Sequence, residues 1–331
     1  MPSFTVYKGT KEGKIVSAQT TREVGANEVL VKITHSGLCG TDLHYKTAGI
    51  ALGHEGAGIV AELGAAVTSF QKGDSVGWGY QHNSCLACKK CLTGHETLCA
   101  KRAMYGYADF DQASMGTYAV WSANFLFAIP ASIDRKFAAP LMCGGATVFS
   151  ALQSSGCKPT DRVGVIGVGG LGHLAIQFAA KMGCEIVVFS GTESKKDEAM
   201  RLGASEFYAV KGKETLDIGR GIDHLLVTTS AQPDWKLYLS VLNSAAVIYP
   251  LSVASDDFVM PYMPIIEKEL RIQGSLVAAR QVHRDMLTFA AHHKIQPMIE
   301  EFEMSEEGIE QAIAKLESGG MRYRGVLVVK E

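Results

Sequence analysis

The chain has 331 residues, 47% hydrophobic and 20% charged, with 35 glycines, which suits about two domains with sizeable cores. Its net charge of −2 gives no electrostatic case for nucleic acid or a membrane surface as a partner. The opening residues do not read as a secretory leader, and no run of about 18 apolar residues suggests a membrane span. Eight cysteines in such a chain point to metal binding rather than disulfides, and so to the cytoplasm.

Residues 28–34 alternate, with Val29, Val31 and Ile33 on one face, and predict a half-buried strand. The strand leads into Ser36-Gly37-Leu38-Cys39-Gly40-Thr41-Asp42-Leu43-His44 and then Gly53-His54-Glu55-Gly56-Ala57-Gly58. This stretch gathers a thiol, a hydroxyl, two carboxylates and two imidazoles. Cys39 with His54 is a donor pair that suits zinc. A buried thiol and a satisfied core imidazole would read the same way. Residues 59–62 predict another strand, and Gln71-Lys72-Gly73-Asp74 a turn before Ser75. Many short strands with glycine-rich turns make residues 1–145 a β-rich unit.

Cys85, Cys88, Cys91 and Cys99 follow as Cys-x2-Cys-x2-Cys-x7-Cys. Four thiols so close fit a closed tetrahedral zinc site that orders a lobe. An iron–sulfur cluster is the competing reading. Lys89, Lys90, Lys101 and Arg102 would offset the thiolate charge. Cys157 and Cys184 are left as ordinary thiols.

The pattern changes near residue 145. Residues 162–166 predict a short buried strand, followed at once by Gly167-Val168-Gly169-Gly170-Leu171-Gly172. Residues 173–182 have helical spacing and stop at Gly183, and residues 185–189 predict the next strand. A Gly-x-Gly-x-x-Gly turn between strand and helix lets a dinucleotide pyrophosphate approach the helix N-terminus. Residues 223–227, 245–249 and 271–277 extend a doubly wound parallel sheet. Residues from 281 on are helical, with 306–316 amphipathic, and residues 325–329 form a closing strand.

These motifs in this order, with Leu141-Met142-Cys143-Gly144-Gly145-Ala146-Thr147 between them, resemble the zinc-dependent medium-chain alcohol dehydrogenases over essentially the whole chain. The ending Gly319-Gly320-Met321-Arg322-Tyr323-Arg324 is most similar to the cinnamyl-alcohol dehydrogenase branch. The resemblance implies an α/β protein: a Rossmann domain at 146–280 and a GroES-like, partly open β-barrel catalytic domain at 1–145, rejoined by 281–331. It implies two zinc ions per chain. One is held by Cys39, His54 and Cys143, with Glu55 able to approach it, and the other by the four clustered cysteines. Asp42 would orient His54. Thr41 would take the alcohol proton and pass it through the cofactor ribose to His44. Thr147 and the Ser275–Val277 backbone would flank the nicotinamide in a cleft between the domains, and Arg324 would face the pyrophosphate.

Two features depart from the family. Only nine residues, Tyr45 to Gly53, separate His44 from His54, where the family has a longer, proline-containing lip of the substrate entrance. Tyr249-Pro250 stands where the family has a glycine. Met104 and Tyr105 are expected to offer the substrate an apolar surface, favouring aromatic or medium-chain aldehydes. A homodimer or homotetramer follows from family habit.

The cofactor can be read from the second strand. An NAD enzyme places an acid at its end to bind the ribose 2′-hydroxyl. Here Ser190 stands there, followed by Gly191-Thr192-Glu193-Ser194-Lys195-Lys196. Ser190, Thr192, Ser194, Lys195 and Lys196 suit a 2′-phosphate, so NADP(H) is expected, although Glu193 could reach a 2′-hydroxyl. The alternatives are a polyol dehydrogenase, a zinc-free enone or quinone reductase of the same superfamily, and a non-catalytic nucleotide-binding protein.

Overall fold

The computed structural model describes every residue except Ser255 and Glu331. The chain divides into two compact units, Met1–Ala146 with Val277–Glu331, and Thr147–Leu276.

The first unit is built on the strand Glu28–Leu38. Val29, Val31 and Ile33 are fully buried, as the alternation predicts. The strand runs four residues beyond the expected Thr34 because both of its edges stay paired: His35–Leu38 lie antiparallel to residues 325–328, and His35 and Ser36 to residues 56–57. Its first half pairs with Tyr118–Ser122. The seven-stranded sheet is completed by Ile299–Glu303, Ser75–Trp78 and Phe127–Ala128. Its core is closed by Trp78 and Trp121, ring centres 5.2 Å apart, and by Ile309, Ala312 and Ile313 from the helix Glu306–Glu317. Burial of each large side chain contributes about 1.5–3 kcal/mol. Ser305 caps that helix by accepting from the Gly308 N–H, with Glu306 and Glu307 in its first turn. The N-terminal hairpin, Ser3–Gly9 with Ile15–Thr21, has no counterpart among the sequence expectations.

The second unit holds a six-stranded parallel sheet. Its order is Glu206–Ala209, Glu185–Ser190, Arg162–Ile166, Ile222–Val227, Leu242–Pro250, Arg271–Ile272. This is the doubly wound order with its reversal beside the first strand, where such folds bind dinucleotides. The last strand is only two residues long rather than reaching Val277. It lies at the sheet edge, and both its residues are exposed, so no burial extends the pairing. The helix after the glycine turn spans Gly172–Lys181 and presents Leu174, Ile176, Phe178 and Ala179 to the core. Among the described residues no helix is long and apolar enough to cross a membrane.

Candidate active site and metal centres

The strand Glu28–Leu38 delivers Cys39 to the start of a short helix, Gly40–Tyr45. Asp42, fully buried on that helix, ties two segments together. One carboxylate oxygen accepts the Cys39 N–H at 2.9 Å, and the other lies 3.0 Å from His54 Nδ1. That bond turns His54 Nε2 away from Asp42, and Nε2 is buried with no hydrogen-bond partner. Glu55 Oε2 is likewise buried and unpaired, while Oε1 accepts from the Arg324 guanidinium. Donor atoms of Cys39, His54, Glu55 and Cys143 all lie within 4.8 Å of one another. Cys143 comes from a buried π-helical turn, Leu141–Gly145. Such turns are rare and recur at functional sites.

This crowding requires glycine. A Cβ on Gly37 would stand 2.0 Å from Glu55 Oε2, and Gly53 has φ +98°, open to glycine but strained for other residues.

The electrostatics fit a cation. The Cys143 thiol hydrogen-bonds to Cys39, which holds the Cys39 thiol well below its ordinary range and raises that of Cys143. Burial raises Glu55 to about 7 against the pull of Arg324. Burial opposes charge on His54, but Asp42 and Cys39 outweigh it and raise its pKa. A buried carboxylate oxygen and a buried imidazole nitrogen without partners are costly unless something positive sits among them. The residues present therefore fit zinc.

Two functional neighbours have no local signal in the sequence. Tyr105 stacks on His54 with ring centres 4.9 Å apart, and Tyr80 meets the same ring edge-on at 5.6 Å. The Tyr105 oxygen accepts the Gly53 N–H at 3.1 Å, and its hydroxyl bonds to Asp42. Tyr105 is 1% exposed and Met104 4%. Both are therefore buried, and Tyr105 braces His54. Thr41 Oγ1 is 3.7 Å from Cys39 Sγ, and His44, on the same helix, is exposed. Arg324, expected to face a pyrophosphate, is buried and directed at Glu55.

The four clustered cysteines converge. Their sulfurs are 3.5 Å (Cys99–Cys85), 3.6 Å (Cys88–Cys91), 3.8 Å (Cys88–Cys99) and 3.9 Å (Cys85–Cys91) apart. Tetrahedral zinc with Zn–S of about 2.3 Å implies sulfur separations of about 3.8 Å. Backbone N–H groups of Cys88 and Lys101 point at Cys85 and Cys99. Those of Ala87 and Cys88 lower the Cys85 thiol to about 6. Lys89, Lys90, Lys101 and Arg102 are exposed around the lobe. Glu96, buried within it, accepts from the Arg280 backbone at 2.6 Å and its side chain at 3.0 Å, fixing the lobe to the helix Arg280–His293.

In the second unit Gly167 has φ +94°, and a Cβ on Gly172 would stand 2.0 Å from the Gly167 carbonyl oxygen. A Cβ on Gly169 would meet nothing, leaving open space against the turn, as a pyrophosphate cradle requires. Gly170 and Leu171 complete the turn into the helix. Ser190 ends its strand as expected. Beyond it Thr192 and Ser194 hydroxyls lie 2.8 Å apart, and Lys195 Nζ reaches the Val168 carbonyl at 2.6 Å. Lys196 pairs with Glu193 at 3.4 Å, both exposed. The helix that follows starts at Lys196, after one 3-10 turn. Thr147 lies near the start of the helix Ala146–Ser154, Ser275 follows the edge strand, and Val277 has φ +46°.

Residues 25–131 match the family model described as alcohol dehydrogenase GroES-like domain, and residues 170–292 that of zinc-binding dehydrogenase. An aldehyde reductase AdhA from Synechocystis sp. is 33% identical over 314 residues, 92% of each chain. The NADP-dependent alcohol dehydrogenase C 1 of Mycolicibacterium smegmatis is 33% identical over 344 residues, 99% of this chain and 98% of the relative. A solved cinnamyl alcohol dehydrogenase from Sorghum bicolor superposes with TM-score 0.90 at 30% identity, covering 99% of this chain and 98% of that one. The chain belongs to the zinc-binding alcohol dehydrogenases of the medium-chain dehydrogenase/reductase type, with the GroES-like and Rossmann domains expected from its sequence.

Proposed function

We propose that this chain transfers a hydride reversibly between NADP(H) and a primary alcohol or its aldehyde, preferring aromatic or medium-chain substrates. The observation that carries the reading is the convergence of half-buried Cys39 with buried His54, Glu55 and Cys143, leaving His54 Nε2 and Glu55 Oε2 unpaired. Cys39, His54 and Cys143 would hold a catalytic zinc and leave one position for substrate oxygen. Zinc there supplies a Lewis acid for the carbonyl, or lowers the pKa of an alcohol, while the nicotinamide supplies or receives the hydride.

The chain's own residues do the rest. Asp42 fixes the His54 ring, and Tyr105 braces it. Arg324 pairs with Glu55 and would offset its charge beside the metal. Thr41 Oγ1, next to Cys39, is placed to accept the proton of an alcohol, and exposed His44 on the same helix exchanges protons with water. Cys85, Cys88, Cys91 and Cys99 would hold the second zinc with no open position, a structural role.

The cofactor preference rests on the turn after Ser190 and on the kinship with an NADP-dependent relative. Gly167, Gly169 and Gly172 would receive the pyrophosphate. Ser190, Thr192 and Lys196 would receive the 2′-phosphate, Lys195 closing over the glycine turn. Thr147, Ser275 and Val277 would flank the nicotinamide. The aromatic preference rests on kinship with a cinnamyl alcohol dehydrogenase. A homodimer or homotetramer would cover the exposed Tyr262, Met263, Ile266 and Ile272 near the sheet edge. Eight free cysteines suit the reducing cytoplasm.

The test is kcat/KM for benzaldehyde reduction with NADPH and with NADH. A higher value with NADPH is expected, and Ser190→Asp should reverse the order by setting a charge against the phosphate. A higher wild-type value with NADH would overturn the cofactor assignment. In a series of linear aldehydes the rate should rise gradually, since a methylene contributes about 0.8 kcal/mol. A strict requirement for a polyol would defeat the substrate assignment.

A further inference from the structure

We propose that Cys157, Asp161, Cys184 and His224 form a third metal site, suited to zinc, at the amino-terminal edge of the parallel sheet. A sulfur, a carboxylate oxygen and an imidazole nitrogen of Cys157, Asp161 and His224 lie within 4.8 Å of one another, as tightly grouped as the donors of the two sites above. Cys184 Sγ is 3.4 Å from Cys157 Sγ but stands outside that 4.8 Å group, so it would have to turn inward to serve as the fourth donor.

The fold explains the convergence. Asp161 immediately precedes the strand Arg162–Ile166, and Cys184 immediately precedes Glu185–Ser190. These strands are parallel and in register, Arg162 opposite Glu185, so the two preceding residues stand side by side. His224 enters from the other neighbouring strand, opposite Val163. Cys157 lies in the connection from the helix Ala146–Ser154. His224 Nε2 is 3.1 Å from Asp161 Oδ2. The other ring nitrogen, Nδ1, is 3.2 Å from the buried Tyr249 hydroxyl. Such a partner fixes the ring of a metal-binding histidine and aims its second nitrogen. Tyr249, unexplained in the sequence, thereby gains a role.

Two thiols, one imidazole and one carboxylate make a four-donor set that suits zinc. On binding, both thiols lose their protons to solvent. Cys184 gives up its present bond to the Lys158 carbonyl at 3.3 Å. The sulfurs separate slightly toward the roughly 3.8 Å of tetrahedral zinc. Once Cys184 turns in, four protein donors would close the site, whose role is to pin the starts of three strands. The glycine turn follows the carboxyl end of Arg162–Ile166, so the site lies at the opposite edge of the sheet from it.

The test counts metal in enzyme reduced with a phosphine, stripped, reloaded with zinc and dialysed. Wild type should hold one more equivalent than Cys157→Ser, with NADPH-linked turnover and circular dichroism alike in the two. That difference does not depend on the other sites or on the proposed activity. Cobalt loading should give a thiolate charge-transfer band in excess of that of Cys157→Ser. Zinc should slow alkylation of Cys157 in the wild type at least tenfold, which keeps the test valid if the variant folds poorly. Equal metal content, or alkylation indifferent to zinc, would overturn the site. Recovery of Cys157 and Cys184 as a phosphine-reversible disulfide with no extra metal would overturn it in favour of a redox pair.

Discussion

The two metal centres of the first unit are built in opposite ways. The four-cysteine lobe draws its donors from one stretch, Cys85 to Cys99, with Leu92, Thr93, Gly94 and His95 exposed between them. The Cys39 centre draws on a strand end, a loop, a π-helical turn and the closing strand Arg324–Val328, with His54, Glu55, Cys143 and Arg324 buried and Cys39 half-buried. The lobe has little apolar core of its own, so metal binding there supplies folding energy. The Cys39 centre, set among those buried side chains, would be held by the fold whether or not metal binds, which would leave the metal free to do chemistry.

The contrast predicts the largest effects. Cys143→Ser should abolish turnover with the fold intact, and Cys88→Ser should unfold the lobe. Circular dichroism, protease susceptibility and activity measured together separate the two outcomes. If Cys143→Ser is also grossly unfolded, the two centres are not different in kind.

The next effect concerns the open position of the Cys39 centre. Thr41→Val keeps the shape and removes the proposed proton acceptor, and such steps contribute about 10²–10⁴ in rate. A kcat loss of that order with unchanged NADPH affinity is expected, and activity within a factor of about two of wild type would remove Thr41 from the mechanism.

Tyr105→Phe tests how far the core holds the centre. It keeps the ring on His54 but leaves the Gly53 N–H without its acceptor. An unsatisfied buried donor costs about 1–3 kcal/mol. Loss of such support typically lowers metal affinity about 10–100-fold. Zinc should leave the Cys39 centre sooner while the four-cysteine lobe is unaffected, measured by chelator competition. Equal weakening of both centres would break the comparison.

The smallest effect lies beside the centre. His82 and Arg22 bind Asp109 and hold its carboxyl at about 2, against an ordinary 3.8. The folded pKa is depressed, so this contribution is fully present above pH about 4 and is lost as pH falls toward about 2. It amounts to about 2 kcal/mol at neutral pH. Asp109→Asn should lower stability by about that amount at pH 7 and by little near pH 2. A pH-independent difference in denaturation midpoint would contradict the assignment.

How much the sequence disclosed follows the same contrast. The four cysteines and the glycine turn are local, and spacing alone exposes them. The alternation at Val29, Val31 and Ile33 marked the central strand, but its extension to Leu38 depends on pairing with Arg324–Val328. Tyr105 and Tyr80 behind His54, Glu96 under Arg280, and Cys157 beside Cys184 are contacts between distant segments. No local period or motif encodes them, so the sequence shows none of these contacts and Cys157 reads as an ordinary thiol.

The central claim is that one zinc centre is open and held by the fold, while the other is closed and holds its lobe. Stepwise removal of zinc by a chelator from the Cys157→Ser variant, with released metal, turnover and circular dichroism followed together, tests it most directly. The account predicts two phases. The first equivalent leaves with all the turnover and no change in structure, and the second leaves only as the lobe unfolds. Release of both equivalents in one phase with loss of structure, or full turnover after the first has gone, would contradict it.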